Sequence, residues 1–256
     1  MTMFDLTDIA FVAGGRPLLE GISLRLDRGL LYGVIGANGA GKSTLLRLMA
    51  GQERPTRGEL RLDGLPLAAL PARQLARRIA FLPQSPPPAG DMCLAELVGL
   101  GRYPWTGPFR RLGDTDRRAV EHAMGAAGLA GMGEQLVATL SGGERQRGWI
   151  AMMLAQSAGC LLMDEPTAAL DLRYQVEVLT LLRSLAQRPE AMAVVVLHDI
   201  NLAARFCDRL IGMAQGRIVA EGRVEEVMRP EILQRIYGLP LRVIPDPQTG
   251  SPIALY

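Results

Sequence analysis

Apolar and polar positions alternate through much of the N-terminal quarter of the chain. "ISLRL" (Ile22 to Leu26) has this pattern, which predicts a half-buried strand, and Gly14-Gly15 supplies a turn before it. "ELRLDG" repeats the alternation and stops at Asp63-Gly64, a hairpin turn pair. Between them "LLYGVI" (Leu30 to Ile35) is an unbroken apolar run, as in a strand covered on both faces. A glycine-rich stretch follows, and then "KSTLLRLMA", where Leu45, Leu48 and Met49 fall at helical spacing.

From about Pro86 to Leu140 the pattern changes to short helices. Asp114 or Thr115 is placed to cap a helix beginning near Asp116. Beyond Ser141, helices and strands take turns: a helix near Glu144 to Gln156, strand "CLLM", a helix from Asp171, strand "AVVVL", a helix from Asp199, then a hairpin at Gln215-Gly216. Such alternation predicts an α/β fold with a parallel sheet and crossover helices. The tail from Pro230 is mixed and proline-rich.

The bulk numbers narrow the class. A chain of 256 residues fits one large domain or two lobes, and 48% hydrophobic content is enough to form a core. Net charge is +2 with arginine spread along the whole length, so no basic footprint for nucleic acid exists. Cys93, Cys160 and Cys207 lack paired spacing, which argues against a disulfide framework or a zinc site. The N-terminus "MTMFDLTDIA" has neither the basic nor the apolar region of a signal peptide. The longest apolar window, Trp149 to Met163, is too short to span a bilayer and contains Gln156. A soluble, cytoplasmic chain is expected, with any membrane role exercised through a partner.

Chemistry concentrates first at Gly36 to Ser43, which fits G-x-x-x-x-G-K-[ST] between a predicted strand and a predicted helix. Glycines allow the tight turn that points backbone N–H groups at a polyphosphate, and the helix N-terminus adds positive potential. Of 28 Lys plus Arg, only Lys42 is lysine. A compact ammonium fits inside such a loop, whereas the wide guanidinium fork does not. One such charge at about 4 Å, in an effective dielectric of about 20, contributes about 4 kcal/mol per unit of phosphate charge. Ser43 is then placed as a Mg²⁺ ligand, and Thr44 steadies the loop.

"CLLMDEP" is an apolar strand ending in two carboxylates. Asp164 suits the Mg²⁺ shell, and Glu165 suits the base that polarises an attacking water. "LSGGERQR" opens a helix with Ser141, Gly142 and Gly143, a second anion-binding element. One lysine loop and two phosphate-binding elements per chain suggest two copies exchanging elements across a two-fold axis. Gln84 and His198 each follow a strand, where open α/β sheets bind ligands. His122 sits among polar residues of a predicted helix and is expected in solvent.

These motifs in this order resemble the ATP-binding subunits of ATP-binding cassette transporters, with "LSGGERQR" the family signature. The resemblance implies a P-loop NTPase fold: a RecA-like core plus an N-terminal antiparallel β lobe (1–84 and 142–229), an inserted helical lobe (85–141) and a tail (230–256). It implies nucleotide contacts from Gly36, Asn38, Gly39, Gly41, Lys42, Ser43 and Thr44, and from Ser141, Gly142 and Gly143 of a second copy. Glu165, His198 and Gln84 take catalytic roles; Ser43, Gln84 and Asp164 serve Mg²⁺; Asp171 in "ALD" lies at the dimer seam. An ATP-dependent head-to-tail homodimer, a membrane permease and a substrate-binding protein are implied partners. The implied location is peripheral, on the cytoplasmic face of the inner membrane. Family members carry an adenine-stacking aromatic near the position of Ala13, where Phe11 or Arg16 could substitute.

A narrower likeness joins "GRYPW" (Gly101 to Trp105), "LHDINLAARFCDRL" and "IYGLP" (Ile236 to Pro240) to the ATPases of iron(III)-siderophore, haem and cobalamin importers, ferric hydroxamate importers foremost. Non-transport cassettes of DNA repair or translation carry coiled-coil insertions or fused cassettes. Exporters are often fused to membrane helices. Neither addition is seen in this sequence.

Overall fold

The computed structural model describes residues 1–108, 110–168 and 170–255, arranged as two compact units, Met1–Leu70 with Leu182–Tyr256, and Pro71–Leu181. Ala169 of the "ALD" loop lies outside the described residues.

The first unit opens with β1 (Thr2–Ala13) and β2 (Arg16–Asp27), an antiparallel hairpin turning at Gly14 and Gly15, both with positive φ. Along β2, Leu19, Ile22, Leu24 and Leu26 are buried while Ser23 and Arg25 face out, the two-residue period of a one-sided strand. Strand β3 (Leu31–Ile35) is buried at every position, and α1 (Lys42–Met49) follows the glycine-rich loop. Then β4 (Arg57–Leu62) and β5 (Leu65–Pro66) pair across Asp63 and Gly64, whose φ values of 52° and 76° suit a two-residue hairpin turn. The order β2-β1-β4-β5 forms the expected antiparallel sheet.

The second unit begins with α2 (Ala72–Arg78) and β6 (Ile79–Leu82). Short helices follow: α3 (Leu94–Gly99), α4 (Tyr103–Thr106), α5 (Asp114–Ala126) and α6 (Gly142–Ala155). Helix α5 starts two residues earlier than the sequence suggests. Its cap position is Gly113, whose amide donates to the Asp116 carboxylate at 3.2 Å, so Asp116 closes the first turn rather than opening it. Strand β7 (Cys160–Asp164) runs parallel to β6. Leu94, Leu97 and Val98 of α3 share a core with Val120 and Met124 of α5 and Ile150 and Met153 of α6. A side chain at Gly101 would collide with the Met152 carbonyl, so this glycine sets how closely the chain passes α6. No described helix is long and apolar enough to cross a membrane.

The chain returns to the first unit within α7 (Leu172–Ala186). There follow β8 (Met192–Val196), α8 (Ile200–Phe206), β9 (Arg209–Ala214), β10 (Arg217–Arg223), α9 (Val224–Val227), α10 (Pro230–Tyr237), β11 (Arg242–Pro245) and β12 (Pro252–Leu255). Strand β3 lies between β8 and β9, parallel to both, and β10 turns back beside β9 through Gln215-Gly216. The tail is tied down: the Asn201 amide of α8 accepts from the Ala254 amide at 2.8 Å and donates to its carbonyl at 3.1 Å.

Candidate functional site

In the first unit, β3 delivers the chain to residues 36–41. Gly36, Gly39 and Gly41 have φ of 152°, 78° and 98°, values that L side chains rarely adopt. Space forbids a side chain as well: a Cβ at Gly36 would strike the Met213 carbonyl, and one at Gly41 would lie 2.6 Å from Leu19 Cδ2. The Gly216 amide holds the loop by donating to the Ala40 carbonyl at 3.1 Å. The first turn of α1 has no capping side chain and no acidic residue, which suits an anion at that helix start.

Lys42 is 5% exposed. Its Nζ donates to the carbonyls of Gly36 at 2.8 Å and Ala37 at 2.9 Å, so the side chain arches over the loop it belongs to. Asn38 and Gly39 are exposed at the loop's crest, Ser43 is half-buried and Thr44 is buried. His198 is exposed just after β8. The next residue, Asp199, caps α8 by accepting from the amides of Asn201 at 2.8 Å and Leu202 at 3.0 Å.

In the second unit, β7 places Asp164 at its buried end, 4% exposed. Glu165 follows with φ of 54°, a left-handed conformation that costs a non-glycine residue on the order of 1 kcal/mol or more. The turn aims its carboxylate at Gln84, two residues beyond β6, and Gln84 Nε2 donates to Glu165 Oε2 at 2.7 Å. Two residues 81 positions apart in sequence thus meet. Gln146 of α6 donates to the Pro166 carbonyl at 3.1 Å and steadies the same turn.

Ser141 is the N-cap of α6 within a full capping box. Its hydroxyl and amide both donate to Glu144 Oε2, at 2.7 and 2.9 Å, and the Glu144 amide donates back to the hydroxyl at 3.3 Å. The Ser141 hydroxyl, followed by its amide, holds the Glu144 carboxyl below the usual carboxylate range. An incoming anion would therefore meet a helix start already occupied by its own carboxylate. A Cβ at Gly142 would touch nothing, so this side of the helix start is open. Asp171 accepts from the Tyr174 amide at 3.0 Å and caps the start of α7.

Of the two substitutes for a base-stacking aromatic, Phe11 is unsuitable: it is buried on the core side of β1. Arg16 is exposed and pairs directly with Ala13 across the hairpin end. His122 is exposed on α5, as expected.

"GRYPW" divides. The guanidinium groups of Arg77 and Arg102 lie over the Trp105 ring, 4.8 and 5.3 Å from its centre, and Trp105 Nε1 donates to the Gln156 carbonyl at 2.8 Å. Arg102 is itself buried, bonded to Asp116 at 2.9 Å and the Ala155 carbonyl at 2.7 Å. Tyr103 is 56% exposed. Sequence reading had no means to find this arginine-tryptophan stack, because α2, α4 and the end of α6 converge only in the fold. It also missed Arg147, whose guanidinium lies 3.8 Å from the Tyr174 ring centre.

Comparison with known proteins identifies the family. Residues 19–168 match the family model described as ABC transporter. The ferric enterobactin transport ATP-binding protein FepC of Escherichia coli (strain K12) is 40% identical over 94% of this chain and 89% of its own length. The iron(3+)-hydroxamate import ATP-binding protein FhuC of Bacillus subtilis (strain 168) is 38% identical over 94% and 90%. The hemin import ATP-binding protein HmuV of Streptomyces coelicolor is 44% identical over 93% and 84%. Among solved structures, a chain of a metal-chelate type ABC transporter in an inward-facing conformation superposes with a TM-score of 0.85. It is 25% identical, and the match covers 100% of this chain and 98% of that one.

Proposed function

This chain belongs to the ABC transporter family, and from that premise we propose that it is the ATP-hydrolysing subunit of an importer for a ferric siderophore, of hydroxamate type. What carries the reading is the phosphate loop. Its glycines hold conformations that other residues rarely adopt, Gly36 and Gly41 are also crowded against a Cβ, and the chain's one lysine arches over the loop.

ATP is the substrate. Lys42 exchanges the carbonyls of Gly36 and Ala37 for the β- and γ-phosphates, and the backbone amides of Gly39 to Thr44 take the remaining oxygens. Ser43, Gln84 and Asp164 offer the oxygen donors that a hard divalent cation prefers, and they are the residues that would hold Mg²⁺. Bound there, Mg²⁺ neutralises charge on the transferring phosphoryl group. Glu165 takes the proton of the attacking water once Gln84 releases its carboxylate. His198 holds the γ-phosphate.

Each chain has one lysine loop and one Ser141 helix start. A head-to-tail homodimer lets Ser141, Gly142 and Gly143 of each copy close on the nucleotide of the other, with Asp171 at the seam. The helical lobe, residues 85–141, passes this closure to a membrane permease at the cytoplasmic face, fed by a substrate-binding protein. Lys42→Ala should lose most ATP binding.

The 44% identity to a hemin import protein supports a second reading, in which haem is the cargo. The deciding experiment is uptake in iron-limited cells with and without the gene, using labelled ferric hydroxamate, haem and cobalamin. Loss of ferric hydroxamate uptake alone is expected. Unchanged ferric hydroxamate uptake with loss of haem or cobalamin uptake would overturn the siderophore assignment and keep the importer.

A further inference from the structure

The segment "IYGLP" plays no part in the mechanism above, yet its first two residues pack beside the strand that abuts the phosphate loop. Helix α10 packs on β9 through Leu233 and Ile236, both buried. The approach is close enough that a side chain at Gly212 would collide with Ile236. One residue further along β9, the Met213 carbonyl abuts Gly36 so tightly that only glycine fits. The same strand therefore serves as floor for α10 on one residue and for the first residue of the loop on the next.

Tyr237, the last residue of α10, follows Ile236 into this corner. The helix stops there because Gly238 is left-handed, with φ of 76°, and its amide closes on the Gln234 carbonyl at 2.8 Å. The Tyr237 hydroxyl is buried and completes no hydrogen bond. Burial pushes its pKa up to about 12, the Gly36 backbone acts against that rise, and the Asp199 carboxylate adds to it. The hydroxyl thus lies beside the Gly36 backbone without completing a hydrogen bond, with the residue after His198 nearby. A buried hydroxyl with no completed bond is costly, and phenylalanine would fill the same space without that cost. The oxygen needs a use.

Lys42 points to one. While its ammonium is bonded to the Gly36 and Ala37 carbonyls, the side chain itself holds the base of the loop. Engaging phosphate takes that hold away. We propose that Tyr237 is a positioning residue for the phosphate loop: its hydroxyl oxygen accepts the Gly36 N–H when Lys42 turns to the nucleotide, and so fixes the first peptide of the loop. The proposal rests on the reading of residues 36–44 as a nucleotide site. It ties the C-terminal helix to the nucleotide end of β3, and gives "IYGLP" a task distinct from capping.

Tyr237→Phe keeps the ring and removes the oxygen. The full-length variant should melt at or above the wild-type temperature and bind ATP about 3- to 10-fold more weakly, the loss of one hydrogen bond. Turnover at saturating ATP should stay within about twofold, because the missing bond weakens the ATP-bound ground state and the transition state alike. Amide hydrogen exchange at Gly36 gives a second reading on the unmodified protein. It should slow when ATP is added to wild type and not to Tyr237→Phe. A merely structural tyrosine would change melting and leave Gly36 exchange and ATP affinity alone, which would overturn the proposal. Lys42→Ala run in parallel separates the two claims. If it loses ATP while Tyr237→Phe does not, the nucleotide site stands and the positioning role falls. If neither variant loses ATP, both fall.

Discussion

Gln84 Nε2 donates to Glu165 Oε2 at 2.7 Å, so a residue beyond β6 holds the carboxylate beyond β7. If Glu165 is the base, as proposed, this pairing occupies one of its carboxylate oxygens, and departure of Gln84 would free it. Gln84→Glu would set two carboxylates against each other, and such a pair cannot ionise fully at once. The acid limb of the pH–rate profile should move up by about one unit or more. The shift is read in kcat/KM, which reports the nucleotide-free enzyme in which the two side chains meet, and an unmoved limb there would contradict the pairing.

Ser141 and its glycines start α6 with one side open. Wild type without nucleotide should be mostly monomeric, and ATP should drive dimer formation. Ser141→Arg should abolish the ATP effect by filling the open approach, measured as molar mass by light scattering. Dimers that form regardless of ATP and survive this substitution would contradict the shared site.

The capping box has a definite pH sign. Glu144 is held below its ordinary value by Ser141, so its contribution is present above the unfolded carboxylate range and is lost as pH falls through the lowered folded value. Hydrogen exchange of the first-turn amides of α6 should speed up, relative to intrinsic rates, on acidification through that range. In Glu144→Gln, which keeps the reach of the box without the charge, this dependence should vanish.

Trp105 and Tyr103 should separate cleanly. Trp105→Ala removes a ring contacted by two guanidinium groups and a hydrogen bond to Gln156, and should destabilise the protein by about 2 kcal/mol. Tyr103→Ala, at a 56% exposed position, should change stability by no more than about 0.5 kcal/mol. Thermal melts decide this. If Tyr103→Ala also abolishes stimulation of hydrolysis by the permease, the exposed ring contacts the permease.

Local pattern made the strands and the loop legible. The alternation in β2, the apolar run of β3 and the Gly-Lys-Ser sequence each encode their own geometry within a few residues. Gln84 and Glu165 could be picked singly because each follows a strand, but their hydrogen bond depends on the parallel pairing of β6 with β7. Tyr237 was visible only as part of a resemblance. Its burial depends on Gly212 admitting Ile236, a contact between residues 24 positions apart that no periodicity predicts. Phe11 was misjudged as a base contact for a related reason: β1 carries register shifts near Ile9 and Phe11, so face cannot be counted by simple alternation there.

The most direct test of the account is phosphate release from ATP-saturated Glu165→Gln beside wild type. The substitution keeps shape and the phosphate contacts but removes the proposed base. ATP should remain bound, with release slowed by about 100-fold or more. Wild-type release from Glu165→Gln would contradict the account.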